Sequence, residues 1–206
     1  MGMGEPLMNT ENVLKSISIM QDQRCYSLSK RRITLSTSGI VPQIDAITGK
    51  TDVSLAISLH ASNDDLRNKI VPINKKYPIK DLLSSSKKYL KSLSSKSYIT
   101  IEYILIKDVN DSIEDARNLV NLLSDLKCKI NLIPFNPFPE SEYERSTDQK
   151  VDAFKCYLIK NRFIATVRAT RGDEIDGACG QLVGKLINPI GSKKLKNKRI
   201  SAQNLH

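Results

Sequence analysis

The chain has 206 residues, with 32 Lys and Arg against 22 Asp and Glu, so its net charge is +10. That length suits one domain with a sizeable core, and no apolar run approaches 18 residues, which reads against a membrane span or a signal peptide. Four scattered cysteines, Cys25, Cys128, Cys156 and Cys179, form neither a disulfide framework nor a zinc site, and a reducing, cytoplasmic setting is the simplest reading.

The chain opens on a glycine turn, Gly2-Met3-Gly4-Glu5-Pro6, with no strand before it. Thr10 reads as an N-cap, and Val13, Leu14, Ile17 and Met20 then share one helical face. A short strand from Ile33 to Ser36 ends in Thr37-Ser38-Gly39. A short helix around 42–47 follows, and a second strand, Val53 to Leu59, ends at His60. Asn63-Asp64-Asp65 opens another short helix that Pro72 stops. After Pro78, Ile79, Leu82, Leu83, Leu90 and Leu93 recur at helical spacing. Tyr98 to Ile106 is rich in β-branched and aromatic residues and reads as a strand. Asn110-Asp111 reads as the cap of a helix that buries Ile113, Ala116, Leu119, Val120 and Leu123. A fourth strand, Lys129 to Phe135, stops at Asn136-Pro137. A helix over 147–160 and a fifth strand, Phe163 to Val167, lead into the loop around Cys179, and a last helix is expected from Gly177 towards Ile187.

Strands alternating with helices predict an α/β fold with a parallel sheet of right-handed βαβ units, either open or a partial barrel. Chemistry in such folds gathers at the carboxyl ends of the strands. Those ends carry Ser36 to Gly39, Ser58-Leu59-His60, Lys107-Asp108, Asn136-Pro137 and the Cys179 loop. Hydroxyls, an imidazole, an amide and a thiol therefore meet on one rim. Each has a plainer alternative. Ser36 and Ser58 could only cap their strands, His60 could only satisfy a backbone group, and Asn136 could be an ordinary turn residue before proline. Cys179, between Ala178 and Gly180 in a polar, glycine-rich loop, reads either as a reactive thiol or as filler at a helix start. Cys128 and Cys156 read as packing residues. Lys30-Arg31-Arg32, Lys75-Lys76 and the terminal cluster of Lys193, Lys194, Lys196, Lys198 and Arg199 are each solvated charge by default. Together they favour a nucleic-acid partner bound through phosphates and shape.

Taken together, these stretches resemble the C-terminal part of the RlmN-type radical S-adenosylmethionine (SAM) enzymes, dual-specificity adenine C2-methyltransferases of 23S rRNA and tRNA. The resemblance rests on Gly2-Met3-Gly4-Glu5-Pro6-Leu7, on 28–39 and on Ala56-Ile57-Ser58-Leu59-His60-Ala61. It continues through 70–77, 130–138 and the Cys179 loop, in order over nearly all of residues 1–187. It implies a parallel-stranded partial (β/α) barrel of the radical SAM type over residues 1–190, truncated at its N-terminal side, with a basic, disordered tail over 191–206. SAM would lie across the strand ends. Gly4 and Glu5 match the contacts to its amino group, and Ser36, Ser58, Leu59, His60 and Asn136 match the other SAM contacts. Cys179 matches the cysteine that takes a methyl from one SAM, to which a radical from a second SAM then opens a path to adenine C2. Such a route suits a carbon that is not nucleophilic.

The family's 4Fe-4S cluster is bound through CxxxCxxC ahead of the Gly-Glu-Pro turn, and no cysteine of this sequence has that spacing. No metal ligand is therefore expected in this chain. It is expected to be a fragment whose front half is missing, monomeric, and doubtful as an enzyme by itself. The competing expectation is a catalytically inactive RNA-binding remnant. An ordinary SAM-dependent methyltransferase of the Rossmann type is disfavoured, because no glycine pattern follows a first strand.

Overall fold

Runs of β-branched and aliphatic residues set a five-stranded sheet, and the segments between them, with apolar residues three and four apart, set the helices. The structure, a computed structural model, describes residues 4–138 and 141–168. Apart from Gly4, they fall in one compact unit spanning Glu5–Thr170. The Cys179 loop, the helix expected over 177–187 and the basic tail from 191 lie outside the described residues.

The strands are β1 (Thr34–Thr37), β2 (Ser54–Ser58), β3 (Ile99–Leu105), β4 (Cys128–Pro134) and β5 (Ile164–Val167). They lie in sequential order, every neighbouring pair parallel. Right-handed crossovers that always step the same way place their helices on the same face, so this order builds a section of a (β/α) barrel and not a doubly wound sheet. Helices α1 (Thr10–Gln21), α2 (Val41–Ile47), α3 (Asp64–Ile70), α4 (Ile79–Ser92), α5 (Ile113–Leu123) and α6 (Asp148–Lys160) complete the unit.

One sheet face meets the helices. Leu35, Leu55, Ile57, Ile99, Ile101, Tyr103, Leu105, Ile130, Leu132 and Ala165 join Leu82, Tyr89, Leu119 and Phe154 in one apolar cluster. Serines on α4 let α2 come close: Ser85 and Ser86 are both buried, and the Ser85 hydroxyl bonds the Asp45 carboxylate. The Phe154 ring sits 5.5 Å from that of Tyr103. The opposite face carries Ser36, Ser58, Glu102, Asn131 and Thr166, none of which belongs to that cluster.

Four local expectations change. Thr10 does not cap α1. Asn9 holds the cap position, and the Thr10 hydroxyl donates to the Leu7 carbonyl at 2.9 Å, closing a 3-10 turn over Pro6–Asn9. Asn110-Asp111 does not cap α5 either. Ser112 does, in a reciprocal capping box with Asp115. Asn110 is instead buried in the turn after β3, where it has other partners described below. Cys156 is exposed on α6 and not a core residue, whereas Cys128 is buried, and burial pushes its thiol up to about 12, so it stays protonated and inert. Finally, the Lys30-Arg31-Arg32 patch is partly neutralised, because Lys30 pairs with Asp52 at 2.7 Å and holds that carboxyl below its ordinary range.

Candidate functional site

The carboxyl ends of β1, β2, β3 and β4 share one edge of the sheet, as parallel pairing requires. Thr37 pairs with Ile57, Ser58 with Glu102, and Leu105 with Pro134. Ser36 and Ser58 stand on the sheet face turned from the helices, both half-buried. The expected gathering of side chains on one rim therefore holds for these two strands.

Glu5 reaches the same edge from outside the sheet. Its Oε2 accepts from the Ser38 N–H at 2.7 Å and from the Ser38 hydroxyl at 2.8 Å, while Oε1 accepts from the Leu7 N–H at 3.1 Å. Three donors fix the orientation of this carboxyl group. The glycine turn before it has a specific reason for Gly4, whose φ is +74°, a left-handed conformation that side chains disfavour. Gly39, just past β1, has two such reasons: φ is +111°, and an added Cβ would stand 3.1 Å from both Leu82 methyls.

Beneath the rim lies Arg67, which sequence reading passes over. It sits on the short helix α3 and is fully buried. Its Nε donates to the Leu59 carbonyl at 3.0 Å, and its Nη2 donates to the carbonyls of Ser38 at 2.7 Å and Ser58 at 3.0 Å. Nη1 donates to the Asn74 Oδ1 at 2.8 Å, and Asn74 is in turn held by Asp64 and Asn68. One planar guanidinium thus ties the tips of β1 and β2 together. Burial draws its pKa down to about 10, opposed by the nearby Asp64, so it remains charged at neutral pH.

Leu59 reaches the rim only through its main chain. Its side chain belongs to the apolar cluster, its N–H donates to the Glu102 carbonyl at 3.1 Å, and its carbonyl is taken by Arg67.

His60 is held in a left-handed conformation, φ +64°, a strained state for a residue other than glycine. Its N–H donates to the Glu102 carbonyl at 3.2 Å, and its carbonyl accepts from the Asn110 Nδ2 at 3.0 Å. The ring Nδ1 accepts from the Ile104 N–H at 3.2 Å, which puts the proton of the neutral ring on Nε2. Burial lowers the imidazole to about 4, with the Arg67 charge adding to the effect. At neutral pH His60 is thus a fixed hydrogen-bond donor and not an acid.

A pH dependence of stability follows. The unfolded chain would titrate this ring near 6.5, above the folded value of about 4, so protons favour unfolding as pH falls across that range. Stability is complete above about pH 6.5 and is expected to fall by on the order of 2–3 kcal/mol as pH drops to about 4. Urea unfolding of the native chain and of His60→Gln across that window should show the native profile falling more steeply. Parallel profiles would show that the ring titrates normally.

Asn136 follows β4 at the same edge and is half-buried; the adjoining Phe135 N–H donates to the Leu105 carbonyl at 2.9 Å. Asn110 locks the turn beside it, accepting from the Ile106 N–H at 2.8 Å and donating to the Ile104 carbonyl at 2.8 Å. Among the described residues no cluster of His, Cys, Asp or Glu could hold a metal ion, and no helix is long and apolar enough to cross a membrane.

Comparison with known proteins identifies the relatives of this arrangement. The dual-specificity RNA methyltransferase RlmN of Pseudomonas putida F1 is 57% identical over 186 residues, covering 90% of this chain and 49% of that protein. RlmN of Pseudomonas entomophila L48 matches with the same identity and the same coverage. The crystal structure of a radical SAM methyltransferase from Sphaerobacter thermophilus superposes with a TM-score of 0.81 at 42% identity, covering 88% of this chain and 53% of that one. A domain of pyruvate-formate lyase-activating enzyme from Bacteroides vulgatus shares the fold alone, with a TM-score of 0.60 at 16% identity, covering 81% of this chain and 96% of that one. The chain spans about half the length of the curated relatives it matches. No family model matches the sequence.

Proposed function

Because the chain is a relative of the RlmN-type radical SAM methyltransferases over nine-tenths of its length, we propose that it carries the SAM-binding rim and the methyl-accepting cysteine of an RNA methyltransferase acting at adenine C2 of 23S rRNA and tRNA. The observation that carries this reading is the Glu5 carboxylate fixed on Ser38 at the tip of β1, beside a sheet face that bears Ser36 and Ser58.

The donor and acceptor set suits SAM. Gly4 and Glu5 would meet the ammonium group, a carboxylate being its natural partner. Ser36 and Ser58 would offer hydroxyls, His60 its Nε2 proton and Asn136 its amide. Leu59, with both main-chain polar groups engaged, would contribute shape and no hydrogen bond. Bound SAM supplies an electrophilic methyl group. The Cys179 thiol, having given its proton to water, would form the new sulfur–carbon bond as the sulfonium–carbon bond breaks and S-adenosylhomocysteine departs.

The chain's own residues do not fit a 4Fe-4S cluster. The sequence holds no CxxxCxxC, and the described cysteines, Cys25, Cys128 and Cys156, stand apart. Thiolate ligands for such a cluster would have to come from outside this sequence. Residues 1–190 would form the SAM-binding core and 191–206 a basic segment that strengthens contact with RNA phosphates, working as a single copy in the cytoplasm. The net charge of +10 supports a second reading, an RNA-binding protein without catalysis.

Joining this chain to the half of the Pseudomonas putida relative that it does not cover separates the two. The joined protein, produced in cells that lack the modification, is expected to yield C2-methyladenosine in digested 23S rRNA and tRNA by mass spectrometry, and the chain alone none. A joined protein that binds RNA but leaves adenine unmethylated would favour the binding reading.

A further inference from the structure

Past the end of β4 the chain makes an excursion that begins and ends at the rim. It leaves at Phe135, whose N–H donates to the Leu105 carbonyl at 2.9 Å. It returns at Arg145, which forms an antiparallel bridge with Ile106 just past β3, and the Lys107 N–H donates to the Glu144 carbonyl at 3.0 Å beside that bridge. Asp111 anchors the return from below. Its buried carboxylate accepts from the Ser146 hydroxyl at 2.9 Å and from the Lys150 ammonium at 3.1 Å. Within the loop, the Ser141 N–H donates to the Phe138 carbonyl at 2.9 Å, and the Tyr143 N–H donates to the Ser141 hydroxyl at 3.0 Å.

Three aromatic rings gather on this loop, in a chain with four Phe, seven Tyr and no Trp. Phe135 is buried, and the rings of Phe138 and Tyr143 each lie 6.1 Å from it, inclined to it by 51° and 85°. These two outer rings are 39% and 38% exposed. One half-open ring on a surface is ordinary. Two of them braced against a buried third, beside the strand tips, make a contact surface. The cations around the loop are already matched. Lys107 pairs with Glu144, Lys150 with Asp108, and Arg145 with Asp148 at 3.7 Å. In a protein whose net charge is +10, this part of the rim therefore offers ring faces more than charge.

We propose that Phe138 and Tyr143 form a stacking platform for an unpaired RNA base, next to the adenine that enters the rim. This rests on the reading of the rim as the place where an RNA adenine is methylated, and adds how the strand is held there. An adenine lying within a stacked strand cannot bring its C2 onto a rim of strand tips, so it has to turn out of the stack. Its neighbour then loses a stacking face, and an open aromatic ring beside the rim restores one. Every base has such a face, so the platform selects single-stranded RNA without selecting its sequence. Stacking also needs no phosphate contact, which agrees with the matched charges around the loop.

The absence of Trp from the sequence supplies the test. In the full chain, Phe138→Trp keeps an aromatic face and introduces a single indole. Its emission is expected to be quenched by a short oligoadenylate and left unchanged by the same ribose-phosphate strand without bases. Phe138→Ala should weaken oligoadenylate binding about tenfold, the effect of losing one stacked base. It should leave the affinity for the abasic strand, and the slope of log affinity against log salt, as in the native chain. Tyr143→Ala should act in the same direction, while Tyr143→Phe, which keeps the ring, should bind as the native chain does. Equal melting temperatures would establish that the variants are folded. An unquenched indole overturns the platform, as do alanine variants that bind oligoadenylate natively or weaken both strands equally. Titration with S-adenosylhomocysteine keeps the two readings apart. If the chain binds it and the platform fails, the rim reading stands; if the indole is quenched and S-adenosylhomocysteine does not bind, the platform stands and the rim reading fails.

Discussion

Replacing Arg67 by alanine is expected to cost about 4 kcal/mol of folding stability, the largest loss foreseen for any polar residue of the unit. The guanidinium is fully buried and donates to three main-chain carbonyls and one side-chain amide. Truncation leaves the carbonyls of Ser38, Ser58 and Leu59 without their donor at a place where two strand tips converge. Each buried acceptor so stranded costs about 1–3 kcal/mol, and the terms do not add fully because the tips would relax together. Arg67→Lys should recover less than half of the loss. A lysine keeps the charge, but its compact ammonium cannot span acceptors on two strands as the planar fork does. Urea unfolding measures both. A loss below about 1 kcal/mol for the alanine variant would mean that water replaces the guanidinium and that the strand tips hold themselves. The prediction bears on function because the same contacts set Ser38, which fixes the Glu5 carboxylate, relative to Ser58.

The strands are legible in the sequence to within one residue at each end, because runs such as Ile99–Leu105 have no other stable reading between turn signals. Their order is less legible. Alternating strands and helices fit both a doubly wound sheet and a barrel section, and the choice lies in which face each crossover takes, a long-range property. The caps fail locally for a plain reason. Asn110, Asp111 and Ser112 are all good cap residues in a row, and the buried turn after β3 claims the first two. Asn110 bonds Ile104, Ile106 and His60, and Asp111 accepts from Ser146 and Lys150. Tertiary partners outweigh propensity there. Arg67 leaves no trace in the sequence, since an arginine on a short polar helix reads as exposed. Glu102 does leave one, an acidic residue in the middle of a largely apolar strand. Main-chain features such as the left-handed His60 cannot be read from residue type, although histidine tolerates that conformation better than most.

In the joined protein, Cys179→Ala is expected to lower RNA methylation at least a thousandfold, roughly the effect of removing a residue that bonds covalently to the transferred group. The placement of the other thiols argues that none can substitute. Cys128 opens β4 at the amino end of the sheet, away from the rim, and its thiol is buried and pushed up to about 12. Cys25 is exposed in the segment that leads into the start of β1, which again belongs to the amino end. Cys156 lies on α6, in the layer of helices behind the sheet. The matching variants Cys25→Ala and Cys156→Ala should therefore keep their methylation, and Cys128→Ala should lose stability before it loses chemistry. Mass spectrometry of the digested protein gives a second readout, a methyl group on the peptide that holds residue 179 and on no other cysteine peptide. Methylation of RNA that survives Cys179→Ala, or a methyl found on Cys25 or Cys156, would move the carrier elsewhere. Because the alanine variant leaves Glu5, Ser36 and Ser58 intact, it should still bind S-adenosylhomocysteine as the native chain does, which separates the loss of the methyl carrier from the loss of the site.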